Sequence, residues 1–136
     1  MWGRICFTVG ALIQALGPFV ADYNETHVLN PRWPPHARFH NGQTMSMGVC
    51  LALGTLYYTY RPASGAAAAD SILTAAIFGS LYWVTGLSAI LYPGSKGIDP
   101  EFGEGFPQVW LFAGLLGLTW TGWWLETRKL AGDAAR

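Results

Sequence analysis

The chain has 136 residues, 51% of them hydrophobic and 12% charged, with a formal net charge of zero. Without a basic excess or a run of Lys and Arg, nucleic acid is excluded as a natural partner. Four apolar stretches take up most of the length and leave no room for a separate soluble domain.

The first stretch, Ile5–Val20, is slightly shorter than the ~20 residues a helix needs to cross the hydrocarbon core of a bilayer. Trp2 and Gly3 extend it, and Arg4 can snorkel to the interface. A basic residue before a short apolar run also fits a cleaved signal peptide. Here it is read as a first membrane helix over about residues 3–21. Gln14 lies midway along it, and its amide calls for a partner on a neighbouring helix.

Residues 22–40 follow, and these nineteen positions hold all three histidines, two acids and two arginines. Asn24-Glu25-Thr26 matches the N-glycosylation pattern, but it sits too close to the end of the first helix to be modified. Asn30-Pro31 reads as a turn, and Pro34-Pro35 suits the first turn of a second helix over 35–60. On that helix His36 and His40 stand at i and i+4 on one face. Gln43, Thr44 and Met47 continue the face, so a polar stripe is expected to lead from the interface into the bundle.

A histidine pair of this spacing has two chemical uses. Two imidazoles can share a metal ion, with His27 and either Asp22 or Glu25 completing the set. They can also act as general acid and base, because the positive helix start keeps a nearby imidazole neutral and able to accept a proton. A purely structural reading stands beside both, with Arg32 and Arg38 pairing with Asp22 and Glu25 to fold the loop. H-x-x-x-H lacks the glutamate of the H-E-x-x-H metalloprotease motif.

Pro62 and Gly65 punctuate the chain before Ala66–Ala69, which reads as the start of a third helix over 67–92. Asp70 is expected to favour its positive end. Loop 93–104 is acidic, and Glu101 and Glu104 within it are second-tier candidates. A fourth helix is expected over 106–126. Tyr82 and Gln108 are the polar residues of these two helices expected to line a cavity. The stretches Gln43–Tyr60, Ser71–Tyr92 and Gly105–Leu125 carry no charge and run 18 to 22 residues. Glycines such as Gly10, Gly48, Gly79 and Gly86 are expected to allow close helix packing, and Cys6 and Cys50 to pack as small apolar residues.

The fold class that follows is all-α, an integral membrane four-helix up-down bundle with a structured loop between helices one and two. Arg4, Arg61, Arg128, Lys129 and Arg136 fall on one side, against Arg32, Arg38 and Lys96 on the other, which places both termini in the cytoplasm.

The segment N-x-T-H…N-P-R-W-P-P-H-A-R-F-H-N-G-Q resembles an uncharacterised family of small four-helix membrane proteins of bacteria and fungi. The resemblance implies no activity. In architecture alone the plan is similar to the sterol-isomerase-like membrane proteins, which bind lipophilic substrates and use acidic residues and histidine.

The functional expectation is a membrane enzyme that carries out proton transfer, such as isomerisation or cyclisation, on a small lipophilic molecule at the non-cytoplasmic mouth. His36 and His40 would be the acid–base pair, with Asp22 and His27 orienting them. Arg38, Gln43, Thr44, Met47, Tyr82 and Gln108 would contact the substrate. No cofactor is expected; a metal ion on His27, His36 and His40 is one alternative. A non-catalytic subunit of a larger membrane complex is the other.

Overall fold

A computed structural model describes residues 1–135; Arg136, counted above with the charges of one side, lies outside the described residues. All regular structure among the described residues is helical. The elements are α1 (Trp2–Asp22), α2 (Pro35–Tyr60), α3 (Gly65–Ser88) extended by one 3-10 turn (Ala89–Leu91), and α4 (Gln108–Ala134). α1 packs against α2 and α4, and α3 packs against the same two. Across the bundle α1 touches α3, whereas α2 and α4 do not meet.

The helix starts follow from local chemistry. Pro35 opens α2, and it holds Pro34 in an extended conformation, φ −58° and ψ 146°. α3 opens at Gly65 after an extended Ser64. Asp70 is therefore the sixth residue of α3, exposed and beyond the first turn, and it does not serve as the end charge the sequence suggests. α4 runs past residue 126 to Ala134, because Glu126 is buried against the start of α1 and Leu130 packs on the core.

Close approach is built from small residues. Pro18 inside α1 has no amide hydrogen, so the Gln14 carbonyl lacks its usual helical partner. Gly48 of α2 packs directly over that oxygen; a Cβ there would lie 2.6 Å from it. On the α1–α3 diagonal Gln14 is fully buried and its Nε2 donates to the Phe78 carbonyl at 3.3 Å. This is the interhelical partner its position demands, since an unpaired buried amide costs about 1–3 kcal/mol.

The bundle interior mixes small and polar residues with a few large apolar ones, Phe7, Met45, Ile72, Trp83 and Leu115, and many large apolar side chains lie on the exterior. Buried positions include Ala11, Ala52, Ala75, Ala76, Thr55, Thr59, Ser80 and Thr119. The hydroxyls of Thr55, Thr59, Ser80 and Thr119 donate to carbonyls four residues back, as in Thr59 to Thr55 at 2.7 Å and Thr119 to Leu115 at 2.9 Å, whereas buried Ser71 donates across to the Tyr58 carbonyl of α2. Leu12, Leu16, Phe19, Leu53, Ile77, Val84, Leu111 and Trp120 are exposed. Trp2–Asp22 and Gly65–Leu91 are long and apolar enough to cross a membrane. α2 and α4 hold uncharged stretches of similar length, but Gly, Thr, Tyr and Trp keep their hydropathy lower.

Candidate functional site

The loop after α1 is organised by Asn24. Its Nδ2 donates to the Ala21 carbonyl at 2.7 Å, and its Oδ1 accepts from the Thr26 amide at 2.8 Å. The same Oδ1 takes the Thr26 hydroxyl hydrogen at 2.6 Å. With that hydrogen committed, Thr26 Oγ1 accepts from His27 Nδ1, 2.7 Å away. In the neutral ring Nε2 then carries the lone pair, and it faces Asp22 Oδ1 at 3.9 Å. Asp22 Oδ2 accepts from Asn41 Nδ2 of α2 at 2.9 Å. The ring of His27 is held edge-on against Trp33, with centroids 5.0 Å apart.

Asp22 and His27 form part of the wall of a cavity of about 400 Å³ between α1, α3, α4 and the segment that follows the 3-10 turn. Tyr82, Trp83, Gln108 and Phe112 line it from the helices, and Ser95, Lys96 and Gly97 from the segment. Gln108 anchors that segment, its Nε2 donating to the Gly97 carbonyl at 2.6 Å. Gln108 Oε1 and the indole nitrogen of Trp83 are buried without a protein partner.

A second cavity of about 420 Å³ lies between α2 and α3, and Tyr82, Gly86, Ala89 and Phe112 border both. Gln43, Thr44 and Met47 line this second cavity. His36 and His40 line neither cavity. They are exposed, with Nε2 atoms 3.0 Å apart, and His40 Nδ1 lies 3.2 Å from Gln43 Oε1. The stripe thus begins on the exposed face of α2 at His36 and His40, and its later members Gln43, Thr44 and Met47 border the second cavity. The inward face is Asn41, Met45, Gly48, Ala52, Thr55 and Thr59, spaced alternately four and three residues.

Arg38 continues that inward spacing toward the helix start. Its Nη2 donates to the Asn30 carbonyl at 2.6 Å, and its Nε is buried without a partner. Arg32 pairs with Glu101 of the 92–107 segment. Neither arginine pairs with Asp22 or Glu25, and Asn30, almost fully buried, reaches Glu101 Oε1 at 3.5 Å. The two loops are thereby tied across the mouth of the bundle. Among the described residues no three His, Cys, Asp or Glu side chains converge. His27 faces Asp22, while His36 and His40 face each other.

At the opposite end Glu126 of α4 is 4% exposed and reaches the first turn of α1. Its Oε1 accepts from the Arg4 backbone amide at 3.2 Å, and its Oε2 lies 3.7 Å from Arg4 Nε. The carboxylate meets an otherwise unpaired amide at the positive end of the α1 dipole. Gly3 and Gly122 permit the approach; a Cβ on Gly3 would lie 2.6 Å from Glu126 Cγ.

Asn41 and Glu126 have no role in the sequence reading above, and each carried a periodic signal. Asn41 lies four residues before buried Met45, and Glu126 lies four after buried Gly122. No curated protein and no solved structure matches the chain. Residues 6–136 match the family described as "Family of unknown function (DUF6640)". The chain therefore belongs to the DUF6640 family, whose match covers the loop, both cavities and Glu126 alike.

Proposed function

We propose that the chain is an integral membrane bundle of four spans that binds a small lipophilic molecule and moves a proton on it. The membrane assignment is supported by the inverted distribution of side chains. Many of the large Leu, Ile, Val and Trp side chains of the helices are exposed, whereas Thr55, Thr59, Thr119, Ser80 and Gln14 are buried beside a small apolar core of Phe7, Ile72, Trp83 and Leu115. Lipid stabilises such an exterior, whereas water penalises a continuous apolar surface of this extent. Arg4, Arg61, Arg128 and Lys129 belong to the end where α1 starts and α4 finishes, which assigns that end to the cytoplasm. The cavities then open toward the other side.

The observation that carries the functional reading is the cavity of about 400 Å³ that takes Asp22 and His27 into an otherwise largely apolar wall. His27 has its Nε2 lone pair directed toward a carboxylate, so taking up a proton converts a neutral contact into an ion pair. That makes His27 the base and Asp22 the group that stabilises the imidazolium. Tyr82, bordering both cavities, supplies a hydrogen-bond donor to an oxygen of the ligand. His27 removes a proton from a carbon adjacent to the oxygen-bearing carbon, and charge moves onto the oxygen held by Tyr82. The proton returns to a different carbon, giving an isomer with no net gain or loss of atoms. In this reading Asp22 and His27 carry the chemistry; His36 and His40 stand outside it. Gln43, Thr44 and Met47 contact the part of the ligand that extends into the second cavity.

The test begins with protein purified into lipid nanodiscs and extracted for mass spectrometry of small molecules. One lipophilic compound should be enriched in amounts comparable to the protein. Incubating that compound with the protein in deuterated buffer should place deuterium on carbon. Asp22→Asn and His27→Gln should each slow incorporation by about 10²–10⁴-fold. Equal incorporation by wild type and His27→Gln would end the proton-transfer reading. A stable protein partner at fixed stoichiometry, with no enriched small molecule, would favour the non-catalytic subunit.

A further inference from the structure

His36 and His40 stand one turn apart on the outward face of α2, where it leaves the Pro34-Pro35 corner. Their rings meet edge to face, with centroids 4.4 Å apart and planes at 78°. Gln43 Oε1, 3.2 Å from His40 Nδ1, can only accept, so Nδ1 carries the hydrogen and His40 Nε2 the lone pair. His36 Nε2 then donates to it across 3.0 Å, and one proton holds the two rings together. His36 is exposed, so its hydrogen can move to Nδ1 without burying an unpaired group. Turning the two exposed rings then presents both lone pairs to one point.

We propose that this pair is a two-histidine chelate for a divalent transition ion of the copper(II) class, which replaces the shared proton. Gln43 is its outer partner, because a ligating imidazole is normally oriented by an acceptor on its other nitrogen. Copper(II) binds imidazole donors more tightly than the other divalent first-row ions, and its tetragonal preference suits two neighbouring nitrogens. The remaining positions are open to water or to a small ligand, since no third His, Cys, Asp or Glu converges there among the described residues. The helix start opposes a cation by about two- to five-fold, less than the second imidazole contributes.

This inference is independent of the cavity reading, because neither histidine lines a cavity. His27 takes no part in this chelate, since it does not converge with His36 and His40. The test uses the full chain, carrying an affinity tag free of histidine and purified in detergent without chelators. Copper(II) is titrated by calorimetry, and the bound ion is read by electron paramagnetic resonance. One ion per chain with two equatorial imidazole nitrogens is the expected result. His36→Ala and His40→Ala should each lower the affinity by at least the ~10–100-fold typical of losing an outer partner, and Gln43→Leu by about ten-fold. His27→Ala should leave both affinity and spectrum unchanged. Circular dichroism should show the same helix content throughout, as expected for exposed positions. Equal copper affinity in the His36→Ala/His40→Ala double variant would overturn the proposal, as would loss of the signal in His27→Ala.

Discussion

The two ends of the bundle are built by opposite rules. Where α1 starts and α4 finishes, the charges are engaged. Glu126 meets the Arg4 amide and guanidinium, Arg61 donates to Ser71 at 2.6 Å and lies over the Tyr58 ring, and Arg128 lies over Trp124. The internal space beside Arg4, Arg61 and Glu126 is only about 50 Å³, and an open cleft of about 690 Å³ lies farther out, between the start of α3 and the end of α4. At the loop end two cavities of about 400 and 420 Å³ meet at Tyr82, Gly86, Ala89 and Phe112. Arg38 Nε, Asn41 Oδ1, Trp83 Nε1 and Gln108 Oε1 are all buried and unpaired near this end. One end thus holds the helices together through paired charges, while the other places polar atoms without a protein partner around a hollow.

The contrast is most exposed to failure at Glu126. Glu126→Ala removes a buried, charge-assisted cap and should destabilise the bundle by about 2–3 kcal/mol, seen as a lower thermal midpoint in detergent. An unchanged midpoint would mean that this end is not the anchor. Gly17→Phe addresses the hollow. A Cβ at Gly17 meets only Ile13 of its own helix, at 3.7 Å, and the residue lines the first cavity. Filling that space should weaken ligand retention about ten-fold, equivalent to about 1.4 kcal/mol, without lowering the midpoint. Retention equal to wild type would place the ligand elsewhere.

Smaller effects separate the mouth from the walls. Arg32 and Glu101 tie the two loops, but their pairing is largely solvent-exposed and should contribute less than about 1 kcal/mol. Arg32→Ala should accordingly speed amide exchange in residues 92–106 and leave exchange in the helices unchanged. His36→Ala and His40→Ala should change stability by no more than about 0.5 kcal/mol, because both side chains are exposed. A larger loss in the thermal midpoint would show that the histidine pair supports the fold.

Much of this protein was legible as a string of residues. Long uncharged stretches can satisfy their backbone in lipid only as helices, and Pro34-Pro35 marks the start of α2 through a missing amide. Short connections then require neighbouring helices to run antiparallel, and the Gln14 amide requires an interhelical partner. These are local consequences of covalent chemistry, and they need no knowledge of what lies alongside. The faces were harder to read. The i and i+4 spacing of His36 and His40 groups them together but does not say whether the group points in or out. The heptad-like row from Asn41 through Thr59 answers that, because small residues permit close approach and large ones prevent it. Pairings between distant segments were the least legible: Glu126 with the start of α1, Asp22 with Asn41, Asn30 with Glu101. A carboxylate or an amide in sequence is compatible with many partners, and only the helix packing and the loop paths select one. Asp22 and His27 were thus identifiable from composition as polar groups of one loop. Asn24 and Thr26 hold His27 locally, but the place of both residues in a cavity wall was decided by tertiary packing, which brings Asn41 to Asp22 and α3 and α4 to the loop.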